Sequence, residues 1–119
     1  MQLDGRSIIA GKTAHASAKT FHAISPSDGA RLEPDFHEAS AADVDLAMRQ
    51  ADDAFEIFRQ MPANARADFL DMVAAEIMAA GDELLQRASA ESGLPIERFI
   101  GERGRTCGQF KTFAALIRE

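Results

Sequence analysis

Cys107 is the single thiol of this 119-residue chain and the one side chain with the intrinsic nucleophilicity for thiolate catalysis. A working thiolate needs an adjacent base and donors for a developing oxyanion. Its neighbours are Thr106 and Gly108, with Phe110 on the same predicted helix, so Cys107 reads as structural. The three histidines, His15, His22 and His37, lie in the N-terminal extended region, without the four-residue helical spacing that holds two imidazoles on one ion. Strand pairing could bring His22 and His37 together, but no carboxylate-rich motif accompanies them, and no metal site is expected.

Asp43, Asp45, Asp52, Asp53 and Glu56 would make an acid–base pair only if burial raised one pKa, and their spacing reads as a solvated helix face. Gly101, Gly104 and Gly108 follow no strand and lack the spacing of a phosphate-cradling loop, so they read as sites of close helix packing. The richest cluster is Glu102, Arg103, Arg105, Gln109 and Thr112. Arg105, Gln109 and Thr112 recur three to four apart and share one polar stripe beside an apolar one. Such a stripe faces either water, with a weak Glu102–Arg105 pair, or a ligand whose carboxylate the planar guanidinium grips with two bonds.

The elements that carry these residues follow from pattern and punctuation. Arg6–Ala10 and Thr20–Ile24 are short β-forming runs, predicted to pair antiparallel within a hairpin region spanning residues 1–38. Ser25-Pro-Ser-Asp-Gly29 is a turn, and a short extended piece over 35–38 precedes a helical region spanning 40–119. Ser40 followed by Asp43 predicts a helix from Ala41, with Val44, Met48, Ala51, Phe55 and Phe58 on one face and Pro62 ending it. A second helix after Asn64 should turn Phe69, Leu70, Val73 and Ile77 inward and stop at Gly81. A third runs from Asp82 towards Gly93. Pro95 to Glu119 is helical again, in two pieces because three glycines weaken it, with Phe99, Phe110, Phe113 and Ile117 as buried candidates. No linker or repeat separates these elements, and one unit is expected.

Composition narrows the partners. With 46% hydrophobic and 27% charged residues the chain has the makings of an ordinary folded domain, but 13 basic against 19 acidic side chains leave a charge of -6. That field disfavours nucleic acid and anionic membranes, and no apolar run approaches the roughly 20 residues of a bilayer span. The N-terminus lacks the pattern of a secretory signal and a lone cysteine forms no internal disulfide, so a cytoplasmic location is expected.

Five segments in sequence order carry more information than any single residue. They are Ile24-Ser-Pro-Ser-Asp-Gly29, Asp43-Val-Asp-Leu-Ala47, Ala51-Asp-Asp-Ala-Phe55, Arg66-Ala-Asp-Phe-Leu70 and Glu91-Ser-Gly-Leu-Pro95. Their order resembles the N-terminal region of the aldehyde dehydrogenase superfamily, with Ser25 and Asp28 in place of the usual Asn and Thr of the turn, and Phe58 where many members carry Trp. The stretch from Glu91 through Gly101-Glu-Arg-Gly-Arg-Thr-Cys-Gly-Gln-Phe110 is similar to the 2-oxoglutarate semialdehyde (2,5-dioxovalerate) dehydrogenases.

The resemblance runs from about Asp4 to Glu119 and covers a minority of a family member's length. It implies an α/β fold: residues 1–119 as the incomplete N-terminal portion of a Rossmann-like cofactor domain, mostly α-helical with an N-terminal β-hairpin. For the complete protein it implies oxidation of an aldehyde to the acid by a cysteine thiolate, with hydride passing to NAD or NADP, and a homo-oligomeric state. The family's cofactor turn, general-base Glu and Gly-Gln-x-Cys nucleophile are not in this sequence. Cys107 precedes Gly108-Gln109 rather than following such a pair, so no catalytic or cofactor-binding residue carries over. Arg105 and Gln109 carry over as candidates along the substrate tunnel. The alternative is a small helical interaction module or decayed remnant without catalysis. Against it stands Phe113-Ala-Ala-Leu-Ile-Arg-Glu119, a helix without a stop signal, which reads as a truncated chain that is inactive by itself.

Overall fold

The computed structural model describes residues 3–119. Element order is β1 (Ile8–Ile9), β2 (Lys12–Thr13), β3 (Thr20–Ile24), β4 (Arg31–His37), α1 (Ala41–Phe58), α2 (Ala63–Ala79), α3 (Gly81–Ser92) and α4 (Ile96–Arg118). The contacts divide into two units, one ending at Gln60 and the other running from Met61 to Glu119. No composition shift in the sequence marks that division.

In the N-terminal unit each β-forming run closes on its own neighbour rather than on the other run, a correction to the expected pairing of Arg6–Ala10 with Thr20–Ile24. β1 pairs with β2, Ile8 opposite Thr13 and Ile9 opposite Lys12. Ala10 and Gly11 between them both take positive φ (49° and 74°), as two-residue hairpin turns require, so the first run doubles back at once. β3 pairs antiparallel with β4, Thr20 opposite His37 and Phe21 opposite Phe36, with an irregularity between Phe21 and Ala23. The two phenyl rings stack with centroids 5.6 Å apart. β4 is thus a full strand, longer than the extended piece the sequence suggested.

The Ser25–Gly29 turn forms as its residues dictate. The Ser25 and Ala30 backbones join at 2.8 Å, Asp28 Oδ1 accepts from the Ala30 amide at 3.0 Å, and Gly29 takes φ 73°. Gly5 lies so close to β4 that its carbonyl accepts from the His37 amide at 2.8 Å, and a Cβ there would sit 1.8 Å from the Asp35 carbonyl oxygen. The Ser40 hydroxyl accepts from the Asp43 amide at 3.1 Å while the Asp43 carboxylate accepts from the Ser40 amide at 2.8 Å, a complete capping box that starts α1 where the sequence placed it. The apolar face of α1 is open: Val44, Met48, Phe55 and Phe58 are all exposed.

The C-terminal unit is organised by α2 against α4. Ala67 and Ala74 on α2, and Cys107 and Ala114 on α4, are buried; in each helix the pair is seven residues apart, two turns along one face. Cys107 Sγ donates to the Ala74 carbonyl at 3.5 Å, and Arg118 at the far end of α4 reaches Asp68 (2.6 Å) and Asp71 (2.8 Å) on α2, so the two helices run antiparallel. Gly81 (φ 67°) breaks α2 from α3, and Gly93 (φ 71°) ends α3 in the left-handed region. Leu85 of α3 completes the buried set.

Three expectations about this unit change. The region after Pro95 is one 23-residue helix, not two pieces. Its glycines mark no close approach, because a Cβ at Gly101, Gly104 or Gly108 would meet nothing within 4 Å. Phe69 and Phe113 are half exposed rather than inward, since the α2–α4 seam closes on alanines and a cysteine and leaves the phenyl rings on flanking faces.

Candidate functional site

Helix α4 brings Arg105 and Gln109 one turn apart, as their spacing requires. With Thr106, Phe110 and Phe113 they line a hollow of about 360 Å³. The hollow pairs a guanidinium and a primary amide with two phenyl walls, which suits a small apolar ligand carrying a carboxylate. Arg105 is poised without being free. Its Nε and Nη2 donate to one oxygen of Glu102, at 2.9 and 2.7 Å, with the Arg105 side chain 71% exposed. These hydrogen bonds, then the guanidinium charge, hold the Glu102 carboxyl below the usual carboxylate range.

Thr112 leaves the stripe chemically: its hydroxyl donates to the Gly108 carbonyl at 2.9 Å, an intrahelical bond, and it does not line the hollow. Arg103 serves the scaffold. Its side chain is largely buried, and Nη1 donates at 3.0 Å to the Gly81 carbonyl at the α2–α3 junction. Thr106, Phe110 and Phe113 were not read as lining residues. The signal was present in their three- and four-residue spacing beside Gln109, but phenyl side chains at helical spacing read first as core.

Cys107 faces α2, away from the hollow, and is buried with its thiol on the Ala74 carbonyl. Burial on that carbonyl closes the thiol to solvent. Of the histidines, His37 places Nδ1 2.7 Å from the Ser17 carbonyl, to which it donates. Strand register sets Thr20, not His22, opposite His37. Among the described residues no three His, Cys, Asp or Glu side chains gather where a metal ion could be held, and no helix is long and apolar enough to cross a membrane.

A nicotinamide dinucleotide needs backbone amides at a strand-to-helix turn for its pyrophosphate. The turn from β4 into α1, Glu38-Ala39-Ser40, has no glycine, and the capping box already takes two of its amides, that of Ser40 on the Asp43 carboxylate and that of Asp43 on the Ser40 hydroxyl. A phosphate there would meet like charge. Among the described residues this turn does not fit the cofactor, and the hollow on α4 has no strand leading into it.

Comparison with known proteins gives these features their context. The aldehyde dehydrogenase family model matches residues 13–119. Alpha-ketoglutaric semialdehyde dehydrogenase 2 of Azospirillum brasilense is 47% identical over 120 residues, which is 100% of this chain and 23% of that protein. Alpha-ketoglutaric semialdehyde dehydrogenase of Acinetobacter baylyi is 36% identical over 97% of this chain and 22% of its own length. The chain therefore spans less than a quarter of these curated relatives. Among solved structures, PnpE of Pseudomonas sp. WBC-3 superposes with a TM-score of 0.84 at 32% identity, covering 96% of this chain and 24% of that one. PnpE has also been solved in complex with nicotinamide adenine dinucleotide. A NAD-dependent benzaldehyde dehydrogenase from Corynebacterium glutamicum shares the fold at a TM-score of 0.86 and 22% identity, over 97% of this chain and 25% of its own. Two strand pairs followed by four helices are thus the architecture of an aldehyde dehydrogenase N-terminal region, and the chain belongs to the aldehyde dehydrogenase family.

Proposed function

We propose that these residues form the N-terminal part of the cofactor-binding domain of a longer NAD(P)-dependent aldehyde dehydrogenase whose substrate is 2-oxoglutarate semialdehyde. The observation that carries this is the 47% identity, along the whole chain, to a protein named for that aldehyde. The nicotinamide would supply the hydride acceptor, and its binding residues, like the nucleophile and general base, would come from sequence beyond these 119 residues. The contribution of this chain would be to selectivity. Arg105, released from Glu102, would give two N–H donors to the substrate's distal carboxylate, Gln109 would add an amide donor, and Phe110 and Phe113 would bound the aliphatic stem.

A carboxylate exchanged for the one Arg105 already holds would keep the guanidinium paired throughout, and Glu102, giving up Arg105, would keep the Arg98 guanidinium at 3.8 Å. The complete gene product should form NAD(P)H on addition of 2-oxoglutarate semialdehyde, with a higher kcat/KM than for an uncharged aldehyde of the same length. Absence of turnover with either cofactor would overturn the proposal. In the complete protein, Arg105→Ala should remove most of the preference for the acidic aldehyde, and an unchanged preference would take Arg105 out of the site.

A further inference from the structure

Thr106 lines the hollow on α4 beside Arg105 and Gln109, yet the reading above gives it no part. It stands in the middle of that surface: Glu102 lies four residues before it, and Gln109 and Phe110 follow three and four after. The Arg105 guanidinium is folded back onto the Glu102 carboxylate, which sets it about one helical turn from Thr106. The Thr106 hydroxyl is available in a way that its counterpart further along the helix is not. Thr112 donates to the Gly108 carbonyl four residues back, whereas among the described residues no hydrogen bond engages the Thr106 hydroxyl. On its other side Thr106 borders a groove walled chiefly by Ile77, Leu84, Leu85 and Phe99, which suits its methyl; the hollow, with its guanidinium and amide, suits the hydroxyl.

We propose that Thr106 is a specificity-determining residue whose hydroxyl donates to an oxo group adjoining the carboxylate held by Arg105, so that the hollow selects a 2-oxo acid over an acid without the oxo group. The inference rests on the reading of Arg105 as the partner of a substrate carboxylate, and deepens it. The donors available assign the contact. An oxo oxygen only accepts, and of the lining side chains Phe110 and Phe113 carry no N–H or O–H to offer. Arg105 and Gln109 are directed to the carboxylate, which leaves the Thr106 hydroxyl for the neighbouring oxygen. Position agrees with this assignment. A carboxylate that takes the guanidinium over from Glu102 arrives about one turn from Thr106, and the oxo carbon is the next atom of the ligand. A threonine on a helix keeps to two χ1 rotamers, so little freedom is lost when the bond forms.

The test compares the complete gene product with its Thr106→Val and Thr106→Ser variants on 2-oxoglutarate semialdehyde and on glutarate semialdehyde, the same acid without the oxo group. Methylenes separate the oxo group from the aldehyde, so the reacting carbonyl is nearly the same in both. Thr106→Val keeps the branched shape and removes the hydroxyl. The ratio of kcat/KM for the oxo aldehyde to that for glutarate semialdehyde should then fall roughly three- to tenfold, through KM, as loss of one uncharged hydrogen bond implies. Thr106→Ser, which keeps the donor, should retain most of that ratio. A ratio unchanged by Thr106→Val would overturn the proposal, as would one lost equally in Thr106→Ser or already near one in the unaltered protein. Calorimetric titration of the same three proteins with 2-oxoglutarate and with glutarate reads the contact without turnover, and tighter binding of the 2-oxo acid that depends on the hydroxyl is expected. That preference in a protein that oxidises no aldehyde rejects the activity alone; turnover of acidic aldehydes with a ratio indifferent to Thr106 rejects this contact alone.

Discussion

Expressed by themselves, these 119 residues should not behave as a sharply melting monomer. Their accessible surface is 8597 Å². Two compact proteins of half the mass would together expose roughly 7,600 Å², so roughly 1,000 Å² is open beyond what even two independently packed bodies leave. With somewhat over half of that apolar, covering it would contribute roughly 14 kcal/mol at about 25 cal/mol per Å². The net stability of a whole domain is only about 5–15 kcal/mol. The exposed side chains are of the costly kind, Met48, Phe55 and Ile57 on α1 and Phe69, Met72, Phe113 and Leu116 on α2 and α4. The buried apolar set among the described residues is Ala67, Ala74, Leu85, Cys107 and Ala114, with no large side chain fully enclosed. Calorimetry, dye binding and sedimentation on the isolated chain should show helical content without a cooperative endotherm, strong binding of a hydrophobic dye, and self-association. A single sharp endotherm from a monodisperse, dye-silent monomer would refute the reasoning.

Other expectations concern single residues in the complete gene product. Gly5→Ala must hold a positive φ and drive a Cβ into the Asp35 carbonyl; the φ strain alone costs about 1–3 kcal/mol, and amide exchange at His37, which bonds Gly5, should accelerate. Ser40→Ala removes the α1 cap at a cost of about 1 kcal/mol, read as lost helicity or a lower melting temperature. The same cap sets a pH dependence. Hydrogen bonds from Ser40 hold the Asp43 carboxyl below its usual 3.8, so its contribution is full above that value and disappears as pH falls through the lowered one; loosening of α1 that sets in well above pH 3.8 would contradict this. Cys107→Ser keeps a donor for the Ala74 carbonyl and should leave aldehyde turnover within about twofold, whereas loss of all activity would make Cys107 a catalytic residue after all.

How much of this was legible in the sequence depended on whether the signal was local. The α1 cap, the Ser25–Gly29 turn and the stops at Gly81 and Gly93 are set by residues within a few positions of each other, and they appear where the sequence placed them. Strand pairing was less legible, because Ala10 takes a left-handed φ that alanine seldom adopts and so turns β1 back on itself before it can reach β3. The continuity of α4 was hidden because three glycines weaken a helix locally, while its seam with α2 and the Arg118 bridge stabilise it from outside.

Periodicity likewise names apolar faces without saying which one is covered. Phe69 and Phe113 read as core, yet the helices close on Ala67, Ala74 and Ala114, whose small side chains give weak sequence signals. In the hollow, Arg105 and Gln109 could be read from their spacing. Its phenyl walls could not, since a ring that lines a ligand hollow and one that lines a core share the same spacing.

The most direct measurement is the DNA sequence downstream of the Glu119 codon. The expected result is an open frame that runs on into a Gly-Gln-x-Cys segment, giving the thiolate and the cofactor turn that these 119 residues do not hold. A genuine stop codon at that point would contradict the central claim that this chain works as the N-terminal part of an aldehyde dehydrogenase.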